Sequence, residues 1–300
     1  MLLIFGTVPV EGLALTTGRV EKDGDFISIG GQRIPRTQGT GTMMGAALAT
    51  TGYLGIEPPM ALVSGDDGRG KGSRQIHEHL IEHLAELSPD VLALHYCLPD
   101  MALSRKLCDT VSKMVKRPVM IADAASMYAA KAAGLAEEFD IFTPDASEMA
   151  FLADADATHP AYINRHLFNA DITRTPELAA EAYSQKNAAR LLLVKGSTDY
   201  IIRDGEVLAT VNTPDIPELE AIGGTGDTIT GMLAAFVSAG LEPHEAAIIS
   251  ARANRTAGEL IKATPATRVR EIIDFLPEVF KGNLCEWTGV CYTKGDFNND

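Results

Sequence analysis

An unbroken apolar run opens the chain at 2–8, and similar short runs return at 59–65, 90–96, 118–124, 140–144 and 190–196. Between them, at 43–54, 73–87, 101–115, 128–139 and 175–189, apolar residues recur every three or four positions or small residues crowd together. The short runs predict strands buried on both faces, and the longer stretches predict helices. Their alternation predicts a doubly wound α/β fold, a mostly parallel sheet with helices on both faces. The pattern changes after 198: residues 199–211 read as two short strands around Asp204-Gly205, a tight-hairpin signal. Helices are predicted near 226–239, 243–262 and 267–280. A single domain over 1–282 is expected, followed by a poorly patterned tail at 283–300, with 155–174 as an irregular lid or oligomer contact.

Composition narrows the partners. The chain has 300 residues, 46% hydrophobic and 22% charged, which is ordinary for a globular domain with a sizeable core. Its formal net charge of −14 argues against nucleic acid or an anionic membrane as the main partner. No run approaches 18 apolar residues, and the start lacks the basic residues of a secretory signal. Four cysteines without metal-site spacing suit a reducing, cytoplasmic setting. Cys285 and Cys291 flank Trp287 and suit either a pair or, as expected, two free thiols, with Trp287 anchoring the tail to a neighbouring subunit. A small-molecule substrate and a homo-oligomer are expected.

Chemistry concentrates at "GGTGD", Gly223 to Asp227, directly before a helical pattern. Glycines free the backbone to turn and leave its amides uncovered. The following helix points its free N–H groups and positive dipole end at the same place. That combination makes an anion site, with Asp227 placed to take a proton from a hydroxyl during phosphoryl transfer. The same residues also suit a plain turn with Asp227 as a helix N-cap. Neither a Walker loop nor a dinucleotide-binding glycine loop is present.

Three other strand ends add candidates. Asp145 and Glu148 follow the run at 140–144 and suit either a water-bridged Mg²⁺ or a helix cap. Lys195 ends the run at 190–196 before Gly196, where it reaches a phosphate or simply solvent. Asp66 and Asp67, in "SGDDGRG", are a weaker signal because Asp-Gly turns are common. His77, His79 and His83 are spaced like an exposed helical face.

The stretches "TPDASEMAFL", "LVKGSTDYIIRDGEV", "GGTGDTITGMLAAFVSAGL" and "AAIISARANRTAGELI" resemble the ribokinase-like superfamily, over roughly 25–280. Within it they look most like the ADP- or ATP-dependent NAD(P)H-hydrate dehydratases, which repair hydrated nicotinamide cofactors. The resemblance implies Asp227 as catalytic base, Gly224, Thr225 and Gly226 as anion hole, and Lys195, Gly196, Asn254 and Gly258 at the nucleotide. It implies Asp145 and Glu148 near Mg²⁺, and ADP or ATP as cofactor. "ISIGGQ" and "VMIADAASMYAA" resemble segments that would place Gly30, Gly31 and Asp123 at the substrate. The chain departs from the dehydratases at Asp145, where they usually have histidine. It departs again at "HYCLPDMAL", where their internal glycine-rich stretch should stand. "SGDDGRG" looks instead like sugar and nucleoside kinases. The expected substrate is therefore a hydrated nicotinamide cofactor or an alcohol, with a small-molecule kinase and a non-catalytic nucleotide-binding relative as alternatives.

Overall fold

The computed structural model of the chain describes residues 1–66, 68–157 and 174–289. Its strands are β1 (Leu2–Val8), β2 (Thr16–Asp23), β3 (Phe26–Ile29), β4 (Gln32–Pro35), β5 (Met60–Gly65) and β6 (Val91–Leu94). They continue with β7 (Val119–Ala122), β8 (Ile141–Phe142), β9 (Leu191–Val194), β10 (Asp199–Arg203) and β11 (Glu206–Val211). The helices are α1 (Gly39–Leu54), α2 (Lys71–Leu87), α3 (Met101–Ser112), α4 (Ala125–Ala132) and α5 (Ala146–Ala153). They continue with α6 (Thr175–Ser184), α7 (Thr225–Ser238), α8 (Pro243–Leu260) and α9 (Val269–Thr288).

One sheet carries every strand, in the order β11-β10-β9-β8-β7-β6-β1-β5-β2-β3-β4. The middle of it, β9 to β5, is parallel, and both flanks are antiparallel. Successive residues of a strand face opposite ways, so each apolar run supplies two cores. On β1, Ile4 joins the core under α1, α7, α8 and α9, while Phe5 joins the core under α2 to α6. The expected doubly wound architecture is thus present. Strand order reverses at β1, which has β5 on one side and β6 on the other. In such sheets ligands bind beyond the C-terminal strand ends near the reversal.

α1 and α7 pack extensively and closely. A Cβ on Gly231 would lie 2.2 Å from the carbonyl oxygen of Met43, so no side chain fits between the two backbones. This contact sets how near the two helix N-termini come to each other.

Several expectations are corrected here. The arm β2 to β4 was not anticipated, because its strands are half exposed and lack the apolar runs of the sheet centre. Gly30 and Gly31 form the two-residue turn between β3 and β4, both at positive φ. They line neither cleft described below, so their substrate role is withdrawn. The tail expected from 283 is helical to Thr288, and Trp287 packs against the protein's own core. Cys285 is disulfide-bonded rather than free, while Cys291 and nearly all of 155–174 lie outside the described residues. His77 is buried against Phe5 rather than exposed.

Gly231→Ala is expected to lower unfolding stability by about 1–3 kcal/mol, the usual cost of overpacking. It should appear as a lower urea midpoint with an unchanged slope. An unchanged midpoint would contradict the backbone contact between α1 and α7.

Candidate active site

The C-terminal ends of the parallel strands deliver the polar side chains. β6 is followed by His95 and Tyr96, β7 by Asp123, β8 leads into Asp145 and Glu148, and β9 is followed by Lys195. A cleft of about 500 Å³ lies across them, lined among others by Asp145, Glu148, Lys195, Gly196, Asn254 and the turn Gly224–Asp227. A second cleft of about 380 Å³ is lined by Thr7, Val8, Pro9, Gln38, Gly39, Thr40 and Asp66. Tyr96, Gly224 and Asp227 line both. Asp227 therefore stands where the two clefts meet.

The turn before α7 does what its glycines suggest. Gly224 takes φ +97°, a left-handed conformation that glycine adopts without strain, and is itself the N-cap. Asp227 sits in the first turn and does not cap its own helix. The plain-cap reading of Asp227 is thereby excluded. Its Oδ2 accepts from the Gly39 amide at 2.5 Å, at the start of α1. Its Oδ1 lies 3.0 Å from His95 Nε2. Burial alone would raise the Asp227 carboxyl. The His95 hydrogen bond, the Lys195 charge and the Gly39 amide outweigh that and hold it below the usual carboxylate range.

Lys195 is no solvated lysine. Its Nζ donates to both oxygens of Asp123, at 2.9 and 3.0 Å; Asp123 is buried and the Lys195 side chain is 10% exposed. The amine lies 3.5 Å from where a Gly226 Cβ would stand, directly beneath the α7 N-terminus. Burial works against the Lys195 charge, but Asp123 first, then Glu148 and Asp227, push its pKa up. Asp123 also accepts from Thr230 Oγ1 at 2.6 Å and lines the larger cleft. Its place is beside Lys195 rather than in the second cleft where a separate acceptor would sit. The next residue, Ala124, holds φ +51°, a strained value for a residue with a side chain and one that clusters at functional sites.

Asp145 and Glu148 form a reciprocal capping box for α5. The Glu148 amide donates to Asp145 Oδ1, and the Asp145 amide donates to Glu148 Oε2, each at 2.8 Å. Tyr128 donates its hydroxyl to Glu148 Oε1 at 2.7 Å. The cap reading is thus correct, yet both carboxyls also line the larger cleft. Burial, then the neighbouring carboxylates Asp145 and Asp123, push Glu148 up to about 7. Two carboxyls already holding hydrogen bonds suit a hydrated Mg²⁺ bridged by water better than direct ligation. His95, Asp123 and Asp227 also bring ligand atoms within 4.8 Å of one another. There, the ammonium of Lys195 already supplies the cation.

Other parts hold the nucleotide side in place. Arg255 pairs with Asp199 at 2.8 Å and donates to the carbonyls of Gly196 and Ser197, fixing the turn after β9. Asn254 accepts from Thr228 at 2.7 Å and lines the larger cleft. Gly258 does not line it. A Cβ there would meet Leu219 at 2.9 Å, so Gly258 makes room for a cleft wall rather than touching a ligand. Asp66 lines the second cleft, but its oxygens accept from the amides of Gly68, Gly70 and Ser73 and from the Ser73 hydroxyl. Asp67 lies outside the described residues. Sequence reading missed His95, Tyr96, Tyr128 and Arg255. For His95 and Tyr96 a signal existed, namely their place directly after an apolar strand.

An open helix start, a lysine beneath it and a carboxylate between two clefts make an arrangement suited to holding and acting on a phosphoryl group. Comparison with known proteins is more specific. The family model described as NAD(P)H-hydrate dehydratase matches residues 75–277, and the chain belongs to that family. It is 35% identical over 242 residues to an uncharacterized protein of Methanocaldococcus jannaschii, covering 81% of this chain and 100% of that one. It is 30% identical to a bifunctional NAD(P)H-hydrate repair enzyme of Pyrobaculum aerophilum, covering 65% of this chain but only 42% of that enzyme. The chain thus spans about two fifths of that bifunctional relative. Its fold is similar to that of the ADP/ATP-dependent NAD(P)H-hydrate dehydratase of Bacillus subtilis. The TM-score is 0.55 at 18% identity, over 94% of this chain and 90% of that one.

Two outcomes follow from the buried charges. Lys195→Met leaves Asp123 buried without its partner and is expected to cost about 3–5 kcal/mol in urea unfolding; a loss below about 1 kcal/mol would mean solvent reaches the pair. Glu148 is raised in the folded state, so its contribution to stability is full below its unfolded value and is lost as pH rises through about 7. Wild type should lose more stability across that window than Glu148→Gln, measured by urea titration without Mg²⁺. Parallel losses in the two proteins would contradict the assignment.

Proposed function

We propose that the chain is an ADP- or ATP-dependent NAD(P)H-hydrate dehydratase that returns a hydrated nicotinamide cofactor to its reduced form. Membership of the family supports the activity, and one observation carries the residue assignment: Asp227 lies where the two clefts join. The nucleotide occupies the larger cleft, with Lys195, Gly196 and Asn254 along it. The hydrated ring enters the second cleft. Asp227 takes the proton of the ring hydroxyl while that oxygen attacks the terminal phosphorus and the bond to the nucleotide breaks. The amides of Gly224, Thr225 and Gly226 hold the transferring group. Phosphate then leaves with the C–O electrons, and loss of a neighbouring C–H proton restores the ring double bond. Mg²⁺, held through water by Asp145 and Glu148, would neutralise phosphate charge. The acidic chain, at net charge −14, supports a small-molecule substrate over nucleic acid.

The test is to supply hydrated NADH with ADP, then with ATP, and follow the absorbance of reduced nicotinamide. Wild type should restore it. Asp227→Asn should slow turnover by about 10²–10⁴-fold while ADP still raises the melting temperature. No recovery of reduced cofactor, together with phosphorylation of an alcohol from a substrate panel, would replace this reading with a kinase.

A further inference from the structure

His95 is completely buried, yet its ring spans two polar partners at 3.0 Å each, Thr40 Oγ1 at Nδ1 and Asp227 Oδ1 at Nε2. An ionised carboxylate only accepts, so Nε2 carries the proton that faces Asp227. Nδ1 of the neutral ring then accepts from the Thr40 hydroxyl. The backbone is built around this chain. The His95 amide donates to the Phe5 carbonyl at 3.0 Å, and the Ser126 hydroxyl donates to the His95 carbonyl at 2.5 Å. Next to it, a Cβ on Gly6 would fall 2.8 Å from Thr40 Oγ1 and 3.3 Å from His95 Cβ, so the glycine leaves room for the pair. Tyr96 closes the other side, its ring 4.8 Å from the His95 ring at 66°.

We propose that His95 is a positioning residue for Asp227 and that Thr40 orients His95 in turn; this rests on Asp227 acting as the base. Two fixed donors, the Gly39 amide and His95 Nε2–H, hold the carboxylate between the clefts. Each of its oxygens keeps a lone pair for an incoming hydroxyl. A buried imidazole hydrogen-bonded to the base and to its own orienter, with Asp123 Oδ2 farther off at 3.9 Å from Nε2, matches the way catalytic bases are held elsewhere.

The experiment compares wild type, His95→Ala, His95→Gln and Thr40→Val in the hydrated-NADH assay with ADP. His95→Ala should lower kcat by about 10–100-fold, the scale for partners that orient a reacting group. The KM for ADP should stay within about twofold. Gln places an amide N–H near the Nε2 position and should recover most of the loss, while Thr40→Val should show a smaller drop in kcat alone. Full activity in His95→Ala, no recovery in His95→Gln, or a kcat loss matched by a rise in the ADP KM would each overturn the proposal. A wild type inert toward hydrated NADH would instead defeat the dehydratase reading. The hydrogen-bond chain is then still tested by ¹⁵N NMR of the histidines, with His95 assigned through the Gln variant. An Nε2–H tautomer whose hydrogen-bonded proton disappears in Asp227→Ala is expected; its persistence would refute the pairing.

Discussion

The amide of Gly39 reaches the carboxylate of Asp227 across 188 positions of sequence because α1 and α7 meet backbone to backbone. Any side chain at Gly231 would push the helices apart at Met43. Separation by even one methyl group would draw the α1 N-terminus away from Asp227 and break that bond. A second closeness repeats the principle nearer the site, since a Cβ on Gly224 would lie 3.3 Å from Thr42 of α1 and from Gln38, the residue before it. The turn before α7, the Asp227 carboxylate and the mouth of the second cleft thus share one rigid seam. Chemistry that depends on placement to a fraction of an ångström benefits from elements that have no slack.

Charge is balanced just as tightly. Asp123, Asp227 and Glu148 crowd around a single lysine, Lys195. Ionising all three carboxyls would leave excess negative charge in a poorly solvated place, and Glu148, with its pKa near 7, is the group that yields. Nucleotide phosphates would add further negative charge to the same cleft. A divalent cation entering with them would favour the ionised form of Glu148 and offset part of its desolvation. The capping box makes this coupling local, because the Glu148 carboxyl that would face bound water also accepts the Asp145 amide. Lys195 contributes differently: pinned to Asp123 below the α7 start, it is a fixed charge rather than a mobile arm.

Local features were readable in the chain itself. The apolar runs mark the parallel strands because burial on both faces leaves no polar positions to break them. "GGTGD" marks its own turn because positive φ and a helix start are decided within a few residues. Asp145 and Glu148 were readable as a pair, and cap and cleft lining proved to be one arrangement. Partnerships across the fold were hidden. The Asp123 partner of Lys195 is 72 positions away, and the Asp227 partner of His95 is 132. No periodicity encodes such distances. Gly30 and Gly31 misled for the opposite reason, since a glycine pair that serves a hairpin turn looks the same as one that serves a ligand. The half-exposed arm β2 to β4 lacked the apolar signature by which its neighbours were recognised.

The partition between the clefts bears on how dehydratase and kinase could share one fold. Phosphoryl transfer to a hydroxyl makes the same demands in both: an anion hole, a charge beneath it and a base between donor and acceptor. Nothing around Asp227 or Lys195 distinguishes a phosphate that stays from one that leaves. The distinction falls to the wall opposite the base, which must hold either a flexible alcohol or a rigid, partly saturated ring. In this chain that wall carries Thr7, Val8, Pro9 and Tyr96, with Asp66 already committed to its own loop. A carboxylate occupied in that way offers no clamp for the hydroxyls of a sugar. A half-exposed aromatic ring, Tyr96, in the same lining as Pro9 offers flat apolar surface, which suits a planar or near-planar ring. The second cleft thus presents flat apolar surface, while Asp66 is tied into its own loop.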